Sequence, residues 1–155
     1  MITLVLVSLP LRPLGAAPRC FPNTRFVVLS GGMVRDTLTS LVWQQDASGP
    51  RIGCTDTDLG SCTLAEAQNY CSGLTLGGYS DWRVPTVKEL LSIVDHTKAH
   101  PAPTIDEVVF PNTPPVTFWT SSPSSNTYQA LYVYFATGGT EDRNVTSTSN
   151  VRCVR

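Results

Sequence analysis

Gly77-Gly78-Tyr79-Ser80-Asp81-Trp82-Arg83-Val84-Pro85-Thr86-Val87-Lys88-Glu89-Leu90 is the stretch on which the fold turns. Its second half starts a helix. Thr86 and Glu89 stand three apart just after Pro85, a capping box in which hydroxyl and carboxylate satisfy each other's backbone amides. Val87, Leu90, Leu91 and Val94 then fall at i, i+3, i+4 and i+7, which makes one apolar stripe. Its first half stops an earlier helix. That helix opens at a second capping box, Thr63-x-x-Glu66, and places Leu64, Ala67, Cys71 and Leu74 on one face before Gly77-Gly78 ends it. Between the two helices, Asp81 and Arg83 flank Trp82, which predicts a salt-bridged turn around a core tryptophan.

Outward from this pair, both flanks read as short strands. Upstream, Arg25-Phe26-Val27-Val28-Leu29 turns at Ser30-Gly31-Gly32 into Met33-Val34-Arg35-Asp36, and a further strand runs over Leu41-Val42-Trp43-Gln44-Gln45. A polar loop with Gly49-Pro50 and Gly53 follows, from Asp46 to Ser61. Downstream, Pro101, Pro103, Pro111, Pro114 and Pro115 exclude regular structure from His96 to Pro115. Phe110 is expected to tie that long loop to the core. Thr117-Phe118-Trp119-Thr120 reads as a strand, Ser121 to Asn126 as a turn, and Gln129 to Ala136 as a strong strand that turns at Gly138-Gly139. Val151-Arg152-Cys153-Val154 reads as the last strand. The order predicts an α+β domain: two helices, a small, mostly antiparallel sheet and long irregular loops. There are no internal repeats and no heptads.

Composition narrows the function classes. The chain has 155 residues, about one domain, with 41% hydrophobic residues and a net charge of −1. That charge argues against a protein built to grip nucleic-acid phosphates. Charged residues are only 15%, against a usual quarter, so hydroxyls and turns carry the solubility. No apolar run is long enough to span a bilayer. The first 14 residues are apolar and Gly15-Ala16-Ala17 offers small residues for cleavage, although no positive residue precedes the apolar stretch. Residues 1–20 are read as a leader, the mature start as lying between Ala17 and Phe21, and the folded domain as 25–155. Few charges and five cysteines favour an oxidising compartment: secreted, periplasmic or on the cell surface.

Catalytic and metal motifs are missing. There is no GxSxG, HExxH or CxxC, and the two histidines, His96 and His100, sit in one Pro-flanked loop. Asp56-Thr57-Asp58 echoes a calcium loop without its remaining ligands. No enzyme, cofactor or metal is expected. Two surfaces qualify as binding candidates. Tyr132 and Tyr134 share a strand face opposite Leu131 and Val133, and that face is either a stacking platform for a sugar or a surface packed under the long loop. Arg143, Arg152 and Arg155 gather late in the sequence and could hold a sulfate or carboxylate through the guanidinium fork. Glu141 and Asp142 beside Arg143 point instead to a neutralised surface loop. Asn144-Val145-Thr146 matches a glycosylation sequon.

Taken in order, several segments resemble the Lcl C-terminal domain family, named for a collagen-like bacterial adhesin. They are Val34-x-Asp36-x-x-Thr39-x-Leu41-x-Trp43, the Gly77–Leu90 stretch, Phe118-Trp119-Thr120-Ser121-Ser122 and Val151-Arg152-Cys153-Val154-Arg155. The resemblance covers 25–155. It implies a C-type lectin-like fold and a secreted or surface-displayed bacterial adhesion module that binds a glycan or a surface protein. The alternatives are a structural or assembly module with no small ligand, and an enzyme on a lectin-like scaffold. The family's best-known member binds sulfated glycosaminoglycans. This chain carries no Gly-X-Y repeat and no basic excess, and Thr120 stands after Trp119 where calcium-dependent lectins have asparagine. A lectin-like fold packs the first helix on the terminal strand, which implies a Cys71–Cys153 bridge. Cys54–Cys62 then remains as a local pair, with Cys20–Cys54 or Cys20–Cys62 as the alternatives.

Overall fold

The computed structural model describes residues 25–49, 51–56, 60–98 and 103–155. The proposed leader, Cys20 and His100 lie outside them. Six strands and two helices follow in the order β1 (Phe26–Leu29), β2 (Met33–Asp36), β3 (Val42–Gln44), α1 (Leu64–Gly73), α2 (Val87–Ser92), β4 (Thr117–Pro123), β5 (Gln129–Tyr134) and β6 (Gly139–Asn144). They form two antiparallel sheets, β1-β2-β3 and β4-β5-β6, where the sequence predicts one.

Both capping boxes form. Thr63 Oγ1 accepts from the Glu66 amide while Glu66 Oε2 accepts from the Thr63 amide, and Thr86 and Glu89 repeat the arrangement at α2. Three strand expectations need correction. β4 continues past Thr120 to Pro123 through a register shift, so part of the expected turn is strand. β6 occupies a segment expected to be loop; its sequence GTEDRN is polar on both faces because it is a sheet edge. The expected last strand makes isolated bridges rather than a ladder. Val42 and Arg155 exchange backbone bonds on one side, and Arg83 and Val154 exchange them on the other. The C-terminal residues are thus wedged between β3 and the segment that links the helices.

Alternate residues of a strand point to opposite faces. In β2, β4 and β5 both faces are covered. One core cluster takes Met33, Trp119, Ala130 and Tyr132 together with Trp82, Val151 and the four cysteines Cys54, Cys62, Cys71 and Cys153. The other takes Val34, Phe118, Val133 and Phe135 with Trp43, Leu90, Phe110 and Val154. All three tryptophans are buried, and so is Phe110 of the Pro-rich loop. Two disulfides join Cys71 to Cys153, with Cα atoms 5.5 Å apart, and Cys54 to Cys62.

The hairpin turn between β1 and β2 rests on the glycine turn after α1. A Cβ on Gly31 would stand 3.0 Å from the Gly77 Cα, and one on Gly77, whose φ is +61°, would run into the Met33 side chain. Gly77→Ala should therefore cost about 1–3 kcal/mol, combining a left-handed backbone with overpacking. A urea midpoint equal to that of the parent would contradict this close approach.

Candidate functional site

The three candidate arginines do not form one patch. Arg152 is fully buried. Its Nη1 donates to the Gln44 carbonyl at 2.6 Å and to the Gln45 carbonyl, its Nη2 donates to Thr113 Oγ1 at 2.6 Å, and its guanidinium lies 4.9 Å from the Phe110 ring centroid. Arg152 is thus a core cation and leaves the list of ligand contacts, because no surface ligand reaches it without opening the core. Arg155 lies over the Tyr79 ring at 3.6 Å and grips Asp81 through Nε at 2.6 Å and Nη2 at 3.1 Å. The expected Asp81–Arg83 salt bridge is replaced by two others, since Arg83 makes a bidentate pair with Glu89. That pair, with the Thr86 amide, holds the Glu89 carboxyl down at about 2.

Arg143 differs from both. It sits on β6 opposite Ala130. Its Nη1 donates to the Thr148 carbonyl at 2.8 Å, to Ser149 Oγ at 3.1 Å and to Thr117 Oγ1 at 3.3 Å, and the guanidinium lies 5.1 Å from the Tyr132 ring centroid. Neither acidic neighbour neutralises it as a salt bridge. Glu141 accepts from the Tyr132 hydroxyl at 2.8 Å, and Asp142 accepts from Ser124 Oγ at 2.7 Å. Among the described residues, the ion pairs are Arg25–Asp36, Arg83–Glu89, Lys98–Glu107 and Arg155–Asp81, and Arg143 belongs to none of them.

The tyrosine face divides. Tyr132 is 8% exposed, packed in the cluster that holds the disulfides, and burial followed by the Glu141 hydrogen bond raises its phenol above the usual value. The hydroxyl is thus spent on Glu141, an exposed carboxylate of β6. Tyr134, at the strand end, is 39% exposed and keeps a face open to solvent. Among the described residues, no three His, Cys, Asp or Glu side chains converge on a metal position.

A groove of about 510 Å³ lies between α1 and the inter-helix segment. Gln68, Asn69 and Ser72 of α1 line one side, and Arg83, Val84 and Thr86 of the inter-helix segment line the other, with Ser121 of β4. Sequence reading passed over Gln68 and Ser72 because they look like an ordinary solvent face. Their i, i+4 spacing, about 100° round the helix from the Ala67–Cys71 face, was the available signal.

The model of the Lcl C-terminal domain matches residues 32–155. The chain belongs to the Lcl C-terminal domain family. No curated protein matches it. In this Lcl C-terminal domain, the Gly77–Glu89 stretch knots the structure together. Gly77 and Gly78 take positive φ, and the Tyr79 carbonyl accepts from Trp82 Nε1. Asp81 holds Arg155, and Arg83 exchanges backbone bonds with Val154. The Asp81 side chain and the Arg83 backbone thus anchor the C-terminal residues, while the Arg83 and Glu89 side chains pair with each other at the start of α2.

Proposed function

We propose that this Lcl C-terminal domain is a surface-associated binding module, lectin-like in fold and not an enzyme, that recognises a glycan carrying acidic groups. Membership of a family named for an adhesin supports the surface role, and two disulfides fit an oxidising compartment. No helix among the described residues is long and apolar enough to cross a membrane.

The observation that carries the reading is Arg143. One nitrogen of its guanidinium is fixed by three acceptors and its face is set on Tyr132, yet no carboxylate pairs with it. A guanidinium held in this way presents its remaining donors with little ordering cost, in the planar geometry that suits sulfate or carboxylate. Tyr134 adds an exposed ring on the same strand face.

A glycan array with sulfated, uronic-acid and neutral members tests this. Arg143→Ala should weaken binding of acidic glycans at least tenfold, and Arg143→Lys should not restore it, because the ammonium lacks the fork. Binding should fall as salt rises. Melting temperatures of the variants separate lost affinity from lost fold. Acidic-glycan binding unchanged in a folded Arg143→Ala variant would remove Arg143 from the site. A domain that captures no glycan and only a surface protein would overturn the glycan reading.

A further inference from the structure

We infer that the groove between α1 and the inter-helix segment is a second saccharide subsite, for a neutral sugar ring; this rests on the glycan-binding reading above. Three properties of the groove combine. The first is unspent hydrogen bonding. The side-chain amides of Gln68 and Asn69 make no hydrogen bond among the described residues, and the Ser121 hydroxyl makes none either. An amide offers a donor and an acceptor side by side, so it can meet two adjacent hydroxyls, one accepting and one donating.

The second property is charge. Among the described residues that line the groove, Arg83 is the one ionised side chain, and its charge is already met by both Glu89 oxygens at 2.7 and 2.8 Å. Nothing in the groove asks for an anion, which distinguishes it from Arg143. The third is a lining whose accessible surface is mostly carbon, although Val84 itself is only 4% exposed and offers little of it. A sugar ring has both parts: apolar C–H patches to lie on that lining and hydroxyls to reach the amides.

The walls are rigid enough for recognition. α1 is tied to the C-terminal segment by Cys71–Cys153. The other wall is tied to the same segment by the two Arg83–Val154 backbone bonds, and β4 is tied to it by Ser121 donating to the Pro85 carbonyl at 2.7 Å. A preformed groove keeps the ordering cost of binding small.

The test uses the full chain as wild type, Arg143→Ala and the double variant Gln68→Ala/Asn69→Ala on an array of neutral and acidic oligosaccharides. Gln68 and Asn69 are exposed positions on a helix, where alanine favours the helix, so the double variant should fold. The expected result is neutral-sugar binding that survives Arg143→Ala and high salt and drops at least tenfold in the double variant. Neutral-sugar binding indifferent to the double variant, or binding of acidic glycans alone, overturns the groove and leaves the glycan reading standing. Absence of any glycan binding overturns both. As a second check, Ser72→Trp should block the neutral sugar by filling the groove while acidic glycans still bind.

Discussion

Arg152→Ala should destabilise the domain by about 3–5 kcal/mol, enough to unfold a protein of ordinary stability. The Arg152 side chain is fully buried, and burial pulls its pKa down to about 9. It therefore stays charged at neutral pH. Among the described residues no carboxylate hydrogen-bonds it, although the Asp46 charge lies near enough to favour the cation; carbonyl oxygens of Gln44 and Gln45, the Thr113 hydroxyl and the Phe110 ring make the direct contacts. Alanine would leave these acceptors dry and unmet, and would open a cavity where the side chain had been. Each stranded polar group costs about 1–3 kcal/mol. Arg152→Lys should rescue little, because one ammonium on a flexible stem cannot span acceptors on both β3 and the Pro-rich loop. Arg152→Met tests the alternative that mere volume matters: it fills the space and supplies no donor, so it should remain well below the parent. Chemical denaturation reads all three variants. An Arg152→Ala midpoint near that of the parent would mean that the carbonyls find other donors.

Nothing in Val151-Arg152-Cys153-Val154 announces this role. An arginine between apolar residues reads as the exposed member of an alternating strand, and only its place late in the sequence groups it with Arg143 and Arg155. Its acceptors lie 107 and 108 positions earlier in the chain, so only tertiary packing reveals them. Arg51 is a parallel case. It is buried and donates to the Ala47, Gly60 and Val151 carbonyls and to Asn150 Oδ1, and burial lowers its pKa too. Two core arginines thus hold the loop after β3 and the C-terminal segment together through carbonyl, amide and hydroxyl acceptors, with Asp46 as the nearby charge that favours both, in a chain whose charged residues are few.

What the sequence does announce is local. The capping boxes at Thr63 and Thr86 act within one turn of helix, and both are present in the structure. The β5 segment was legible because hydrophobic residues fill both of its faces, but the same fact misdirects the next step. Alternation of Leu131 and Val133 against Tyr132 and Tyr134 leaves open whether the tyrosine face is exposed or packed, whereas β5 separates two hydrophobic clusters, with Tyr132 buried, Gln129 and Leu131 half-buried and Tyr134 at its end exposed. β6 was hidden for the opposite reason: an edge strand without apolar residues has no periodic signal. The groove could not be read at all, since its walls come from a helix, a connector and a strand that meet only in three dimensions.

Removing the Cys71–Cys153 bridge should lower stability far more than removing Cys54–Cys62. The two bridges differ in the chain they close, 82 positions against 8. Loop-closure entropy then assigns about 4–5 kcal/mol to the long bridge and about 2–3 to the short one. Position widens the gap. Cys71 and Cys153 are both fully buried, on α1 and on the C-terminal segment, so the long bridge joins a helix to the residues wedged against β3. The short one staples a loop that Arg51 already holds. Double alanine variants avoid stray thiols. Cys71→Ala/Cys153→Ala should lose about 10–20 °C in melting temperature, and Cys54→Ala/Cys62→Ala about half of that. Equal losses would show that the loop staple matters as much as the tie between helix and C-terminal segment. The groove gives a separate readout of the same bridge. Because α1 supplies Gln68 and Asn69 to one wall, and the opposite wall is held by Arg83–Val154, the long bridge fixes the distance between the walls. Its removal should weaken neutral-sugar binding even at temperatures where the domain stays folded, while loss of the short bridge should leave that binding as it was.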